Sequence, residues 1–175
     1  MLCNLLVSLF ASIACLGVTA QGHSFYFEKL TSQNGLSNNK VNCFMQDGRG
    51  FMWIGTDDGL NRYDGQYFTV FKKQPAGQQG LSGNIVTDIL EDQQGVLWIA
   101  TADGGITKYN YRQPPVQQFK QFRHRADDSS SIPDNGVTCL LMDGKGYIWL
   151  GTAGQDVVRF DPITEKFEKP VPGGT

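Results

Sequence analysis

"DGRGFMWIGTDDGLNRYDG", residues 47–65, packs two tight turns around one tryptophan, and the chain then nearly repeats it. "DQQGVLWIATADGGITKYN" follows at 92–110 and "DGKGYIWLGTAGQDVVRFD" at 143–161. Trp53, Trp98 and Trp149 are therefore 45 and 51 residues apart. Self-similarity at that period marks a stack of small, like units.

Working outward, each unit opens with a polar loop: "GLSNNKV" at 35–41, "GLSGNIV" at 80–86 and "SIPDNGV" at 131–137. An apolar residue (Leu36, Leu81, Ile132) plugs the interior, and an asparagine recurs three residues later. A mostly apolar strand follows, as expected of one covered on both faces. Next comes a turn opened by Asp47, Asp92 or Asp143 and closed by Gly50, Gly95 or Gly146. Asp caps such a turn through the backbone, and Gly supplies the positive φ. The second strand carries the tryptophan, the third alternates apolar and basic, and the fourth is the most polar.

Four short antiparallel strands per unit, with polarity rising outward, predict an all-β protein built of β-propeller blades. The blades fall at about 36–73, 81–126 and 132–172. A twisted four-stranded sheet cannot hide both faces alone, so blades stack. Each tryptophan then packs on a neighbouring blade, burying on the order of 150–250 Å². "FYFEKL" at 25–30 precedes the first opening loop as "YFTVFKK" precedes the second, and reads as a spare N-terminal closing strand. Propellers close with about 4–8 blades, so three blades make an incomplete ring.

Residues 1–20 carry no charged side chain. The run Leu5–Val18 suits the apolar core of a signal peptide, and "VTA" places small residues before Gln21 for cleavage. The start lacks a Lys or Arg, and Ser12 stands where a lipoprotein site at Cys15 would want Leu. The expectation is export, leaving a partial propeller at 21–175. No later segment approaches the roughly 18 apolar residues that span a bilayer.

The net charge of -2 gives no electrostatic case for nucleic acid or an anionic membrane surface. Cys43 and Cys139 occupy the same position of units one and three, without metal-ligand spacing, and read as buried free thiols. Neither a metal nor a cofactor is expected. His23 and His124 lie in no helical phosphoacceptor pattern, and no glycine-rich nucleotide segment follows them, so the chain is not expected to be an enzyme. A sialidase-like glycosidase fragment is the alternative. It would need two carboxylates around a sugar, whereas the acidic residues here recur at turns.

The unit G-L-S-x-N-x-V, then D-x-x-G-x-x-W-I-G-T, then D-G-L-N-R-Y-D, resembles the two-component regulator propeller repeat over residues 25–171. The third unit departs most, with Pro133 for Ser and "GQDVV" for "DGL". The resemblance implies the amino-terminal piece of a hybrid histidine kinase sensor, periplasmic, with its parent anchored in the inner membrane. It also implies further propeller blades, downstream sensor domains and a glycan-derived ligand as partners. A fragment with open ends is expected to self-associate.

In a four-stranded meander the loops before strand one and between strands two and three share one face of the ring. That face gathers Asn38, Asn39, Asp57, Asp58, Asn84, Asp103, Asp134 and Asn135, a polar set suited to a hydroxyl-rich ligand or a partner domain.

Overall fold

A computed structural model describes residues 27–75, 77–154 and 157–168. The expected signal peptide and the first two residues of the expected closing strand lie outside them. The described residues form three four-stranded antiparallel sheets, each a meander whose spatial order follows the chain. The first holds β1 (Val41–Gln46), β2 (Met52–Thr56), β3 (Gly59–Tyr63) and β4 (Phe68–Phe71). The second holds β5 (Val86–Glu91), β6 (Leu97–Thr101), β7 (Gly105–Tyr109) and β8 (Phe119–Phe122). The third holds β9 (Val137–Met142), β10 (Ile148–Thr152), β11 (Val157–Asp161) and β12 (Lys166–Glu168). β1 lies against β5 and β5 against β9, so the inner strands are neighbours and the sheets stand as successive blades. The ring is not closed.

The turn joining the first two strands is built alike in every sheet. Asp47 Oδ1 accepts the Arg49 and Phe51 amides, each at 3.0 Å, while its Oδ2 accepts the Trp53 indole N–H at 2.9 Å. Asp92 and Asp143 take the Trp98 and Trp149 indoles at 3.0 and 2.8 Å. One carboxylate thus closes the turn and pairs the polar atom of the large side chain buried beside it. Gly50, Gly95 and Gly146 sit at φ of 90, 72 and 88°, where a Cβ would be strained.

The core lies between the sheets, in two clusters. Trp53 and Leu60 of the first sheet pack on Val86, Ile89, Leu97, Ile99 and Tyr109 of the second. Trp98, Ala100 and Ile106 of the second pack in turn on Val137, Leu140, Leu150, Val158 and Phe160 of the third. Each first strand also carries a bulge at the same place, at Asn42, Thr87 or Thr138. A bulge re-aims a side chain. Here Asn42 donates to the Val86 carbonyl at 3.0 Å and Thr87 to the Val137 carbonyl at 2.7 Å, stitching each inner strand to the next.

Three expectations need correction. The thiols are free, but they are not both buried: Cys43 is half-buried and Cys139 is exposed. The reason is position, because the second sheet covers the Cys43 position and nothing in the described chain covers the third sheet on the corresponding side. Phe27–Leu30, the described part of the expected closing strand, carry no strand, since a ladder needs a partner. The fourth strand of the second unit, which the sequence places at "VQQFKQFR", 116–123, is shorter, Phe119–Phe122, because Pro115–Gln117 form a 3-10 turn ahead of it.

Candidate functional site

The opening asparagines fix how one sheet follows another. Asn84 Oδ1 accepts the Lys73 amide and Asn135 Oδ1 the His124 amide, both at 2.8 Å. Each donor lies two residues beyond the fourth strand of the preceding sheet. Asn39 Oδ1 accepts the Ser32 amide at 2.8 Å in the same manner. This puts Phe27–Leu30 at the fourth-strand register of a preceding sheet, and the apolar ends Phe27 and Leu30 match Phe68 and Phe71, or Phe119 and Phe122. The same loops also bond across sheets through the backbone. Gly59 donates to the Asn84 carbonyl and Gly105 to the Asn135 carbonyl, both at 2.7 Å.

The aspartates gather beside these loops. Asp57 accepts from Lys40 Nζ at 2.8 Å and Asn42 Nδ2 at 2.9 Å, and the Lys40 bond holds its carboxyl below the usual range. Asp58 pairs with Lys72 at 2.5 Å. Asp103 accepts the Ile85 amide at 3.2 Å and stands 3.7 Å from Lys73 Nζ. Asp134 Oδ1 accepts the Gly136 amide, and Asn38 Oδ1 the Lys40 amide, both at 2.8 Å. All eight residues are therefore brought to the opening loops and the second-to-third-strand turns. Each is also held by a backbone amide or a lysine.

Sequence reasoning missed the cations of this face, Lys40, Lys72 and Lys73, which convert a set of carboxylates into ion pairs. The lysines stand in or just before the opening loops, a signal available in "NNK" and "FKK". It also missed a polar pair behind the face. The Ser37 amide donates to Asn61 Oδ1 at 2.8 Å, and the Asn61 amide donates back to Ser37 Oγ at 2.8 Å. The second sheet makes the same link between Ser82 and Thr107 at 2.8 and 2.9 Å. In the third sheet Pro133 and Val158 stand at these positions, so both the amide donor and its acceptor are gone together. Among the described residues no group of three or more His, Cys, Asp or Glu side chains is placed to hold a metal ion.

A separate groove of about 830 Å³ opens between the outer strands of the second and third sheets, bordered by Phe119, Arg123, Glu165 and Phe167. Glu165 bridges it, bonding Lys108 at 3.2 Å and also pairing with Lys120.

Radially successive four-stranded sheets with cores between them define a β-propeller assembly. A family model described as the two-component regulator propeller matches residues 35–58, 80–103 and 131–154. Each matched stretch runs from an opening loop to the turn after the second strand of one sheet. Over 69 residues it is 39% identical to histidine kinase P4 of Formosa agariphila, a match covering 39% of this chain and 5% of that protein. The extracellular domain described as that of hybrid two-component system BT3049 from B. thetaiotaomicron superposes with a TM-score of 0.73 at 32% identity. That match covers 82% of this chain and 20% of the other. A second B. thetaiotaomicron extracellular domain, BT4673, gives a TM-score of 0.63 at 23% identity over 77% of this chain and 18% of that one, a likeness of fold alone. The chain thus spans about a fifth of the length of these solved structures. Both matched structures are described as extracellular domains.

Proposed function

We propose that this chain is an extracytoplasmic sensing segment of a two-component histidine kinase, exported to the periplasm and anchored through the rest of its parent. Its role is to bind a ligand or a partner domain, and the ligand class we favour is an oligosaccharide. The observation that carries this reading is the convergence of the three repeats' opening loops. They bring Asn38, Asn39, Asp57, Asp58, Asn84, Asp103, Asp134 and Asn135 to one set of loops together with Lys40, Lys72 and Lys73. Alternating carboxylates, amides and ammonium groups offer both donors and acceptors at short intervals, as a polyhydroxylated ligand requires. The ion pairs are surface pairs, worth about 0–1 kcal/mol each, so a ligand can compete for their members. Further blades and downstream sensor domains of a parent are the partners this reading supplies.

The test is a calorimetric titration of the mature chain with neutral and acidic oligosaccharides, repeated with Asn39→Ala/Asp58→Ala. Saturable binding that weakens at least about tenfold in a still-folded variant supports the reading; a 1.4 kcal/mol loss corresponds to that factor. Binding unchanged by the double substitution removes this face from consideration.

A further inference from the structure

On the face opposite the opening loops, the turn between the first two strands differs among the sheets in one side chain beside its aspartate. The residue two beyond the aspartate is Arg49 in the first sheet and Lys145 in the third, but Gln94 in the second. Arg49 turns back on its own carboxylate, its Nη2 and Nε donating to Asp47 Oδ2 at 2.8 and 3.2 Å. It also reaches across the gap, where its guanidinium lies 3.6 Å from the centre of the Tyr111 ring. Phe51 backs the stack, with the Arg62 guanidinium 4.8 Å from its ring.

The gap between the second and third sheets keeps this frame but lines it with smaller side chains. Asp92 Oδ1 accepts the Gln94 and Val96 amides at 2.9 and 3.0 Å, and its Oδ2 accepts the Trp98 indole at 3.0 Å. Gln94 replaces Arg49, Val96 replaces Phe51, and Pro162 stands where Tyr111 does. Asp47 pairs with Arg49 at 2.8 Å, whereas Asp92 forms no ion pair among the described residues. The result is a hollow of about 560 Å³ bordered by Asp92, Gln94, Val96, Lys108, Asn110 and Pro162. Small-molecule sites have volumes of roughly 300–1,000 Å³.

Two cations stand at the hollow and leave it open to a third. Lys108 is held by Glu165 at 3.2 Å, and Arg112 donates to the Gln94 carbonyl. In the first gap Arg49 sits with two cations as well: Arg62, the counterpart of Lys108, and Arg112, 4.6 Å from the other contact of the Tyr111 ring.

We propose that this hollow binds an organic cation, a guanidinium or a primary ammonium, which takes on Asp92 the place that Arg49 takes on Asp47. The carboxylate is already fixed by two amides and an indole, so it accepts the cation without rearrangement. Bonds between charged partners are roughly twice as strong as neutral ones. The site lies apart from the opening loops and does not rest on the ligand reading given for them. An arginine-like chain and an amino sugar carry the same chemistry, and separate probes distinguish them.

The test is a calorimetric titration of the chain with agmatine and with D-glucosamine, using D-glucose as the uncharged counterpart, repeated on Gln94→Arg. Arg49 and Lys145 occupy that position in the other sheets, so the turn accepts the substitution, and the new guanidinium fills the hollow from within. The expected result is saturable binding of at least one cation, weakened at least about tenfold in Gln94→Arg. The tighter of the two cations names the source. Asn39→Ala/Asp58→Ala should leave this binding unchanged, which keeps the two sites distinguishable. Failure of both cations to bind, competition by D-glucose, binding that Gln94→Arg leaves unchanged, or binding lost with Asn39→Ala/Asp58→Ala would each overturn the proposal.

Discussion

Trp98 of the second sheet meets Phe160 of the third edge-on, with ring centroids 5.2 Å apart and planes at 66°. Trp53 meets Tyr109 across the preceding gap at 5.5 Å. In the first two sheets the largest side chain is therefore a contact with the next sheet. Stability should follow a residue's place in the stack more than its place in the repeat.

Alanine at Trp53 or Trp98 should cost about 3–5 kcal/mol, the range for emptying a buried aromatic site. Trp149→Ala should cost less, on the order of 1–2 kcal/mol, because part of its surface already faces water. Urea unfolding of the three variants checks the order. Equal losses at all three positions would mean that the sheets do not cover one another in sequence.

The Ser37–Asn61 link predicts a rescue. Asn61→Val strands the Ser37 amide in a closely packed place, at about 1–3 kcal/mol, while the Ser37 hydroxyl keeps its bond with Thr56 at 2.8 Å. Adding Ser37→Pro removes the stranded donor, as Pro133 does opposite Val158, and should recover part of the loss. A double variant less stable than Asn61→Val alone would show that the third sheet's pair is not portable.

Acid should loosen the turns. Burial raises the Asp47 carboxyl, but bonds from Trp53 and Arg49 outweigh it, and the folded value lies below the ordinary 3.8. The Trp149 indole holds Asp143 below 3.8 as well. A depressed folded value contributes stability that is fully present above 3.8 and lost as pH falls through the folded values. Denaturant midpoints taken from about pH 6 to about pH 2 should fall most steeply at the acid end. Asp47→Asn should flatten that fall, and an unchanged slope would contradict the assignment.

Much of this architecture is legible in the sequence, for a physical reason. Turns need Asp and Gly at fixed offsets, and strands need period-two burial, so "DGRGFMWIGT" announces its hairpin locally. Where the candidate residues stand was legible as well, because they recur in the opening loops and in the turns between second and third strands. What the sequence hid is whatever depends on neighbours in space. Cys43 and Cys139 are equivalent in the repeat, yet only one has a following sheet beside it. The lysines beside Asp57, Asp58 and Asp103 join the face through contacts between separate strands and loops. The bond from Ser32 to Asn39 shows the register of residues 27–30, which the letters "FYFEKL" only hint at.

The thiols give a further check. Burial, with the Asp88 charge adding to it, pushes Cys43 up to about 12, against a bond from the Gly55 amide. The thiolate is the reactive form. Iodoacetamide at neutral pH should label the exposed Cys139 and spare Cys43 until the chain unfolds. Equal labelling of both would place Cys43 outside the gap between the first two sheets.

The central claim is that the core lies between successive sheets, and a double-mutant cycle on Trp98 and Phe160 tests it most directly. Trp98→Leu, Phe160→Leu and the double variant are compared by equilibrium unfolding. Aromatic contact across the gap predicts a coupling of about 0.5–1.5 kcal/mol, the double variant losing less than the two singles together. Losses that add to within about 0.3 kcal/mol would mean that the two rings do not meet, and the stacked-blade account would be contradicted.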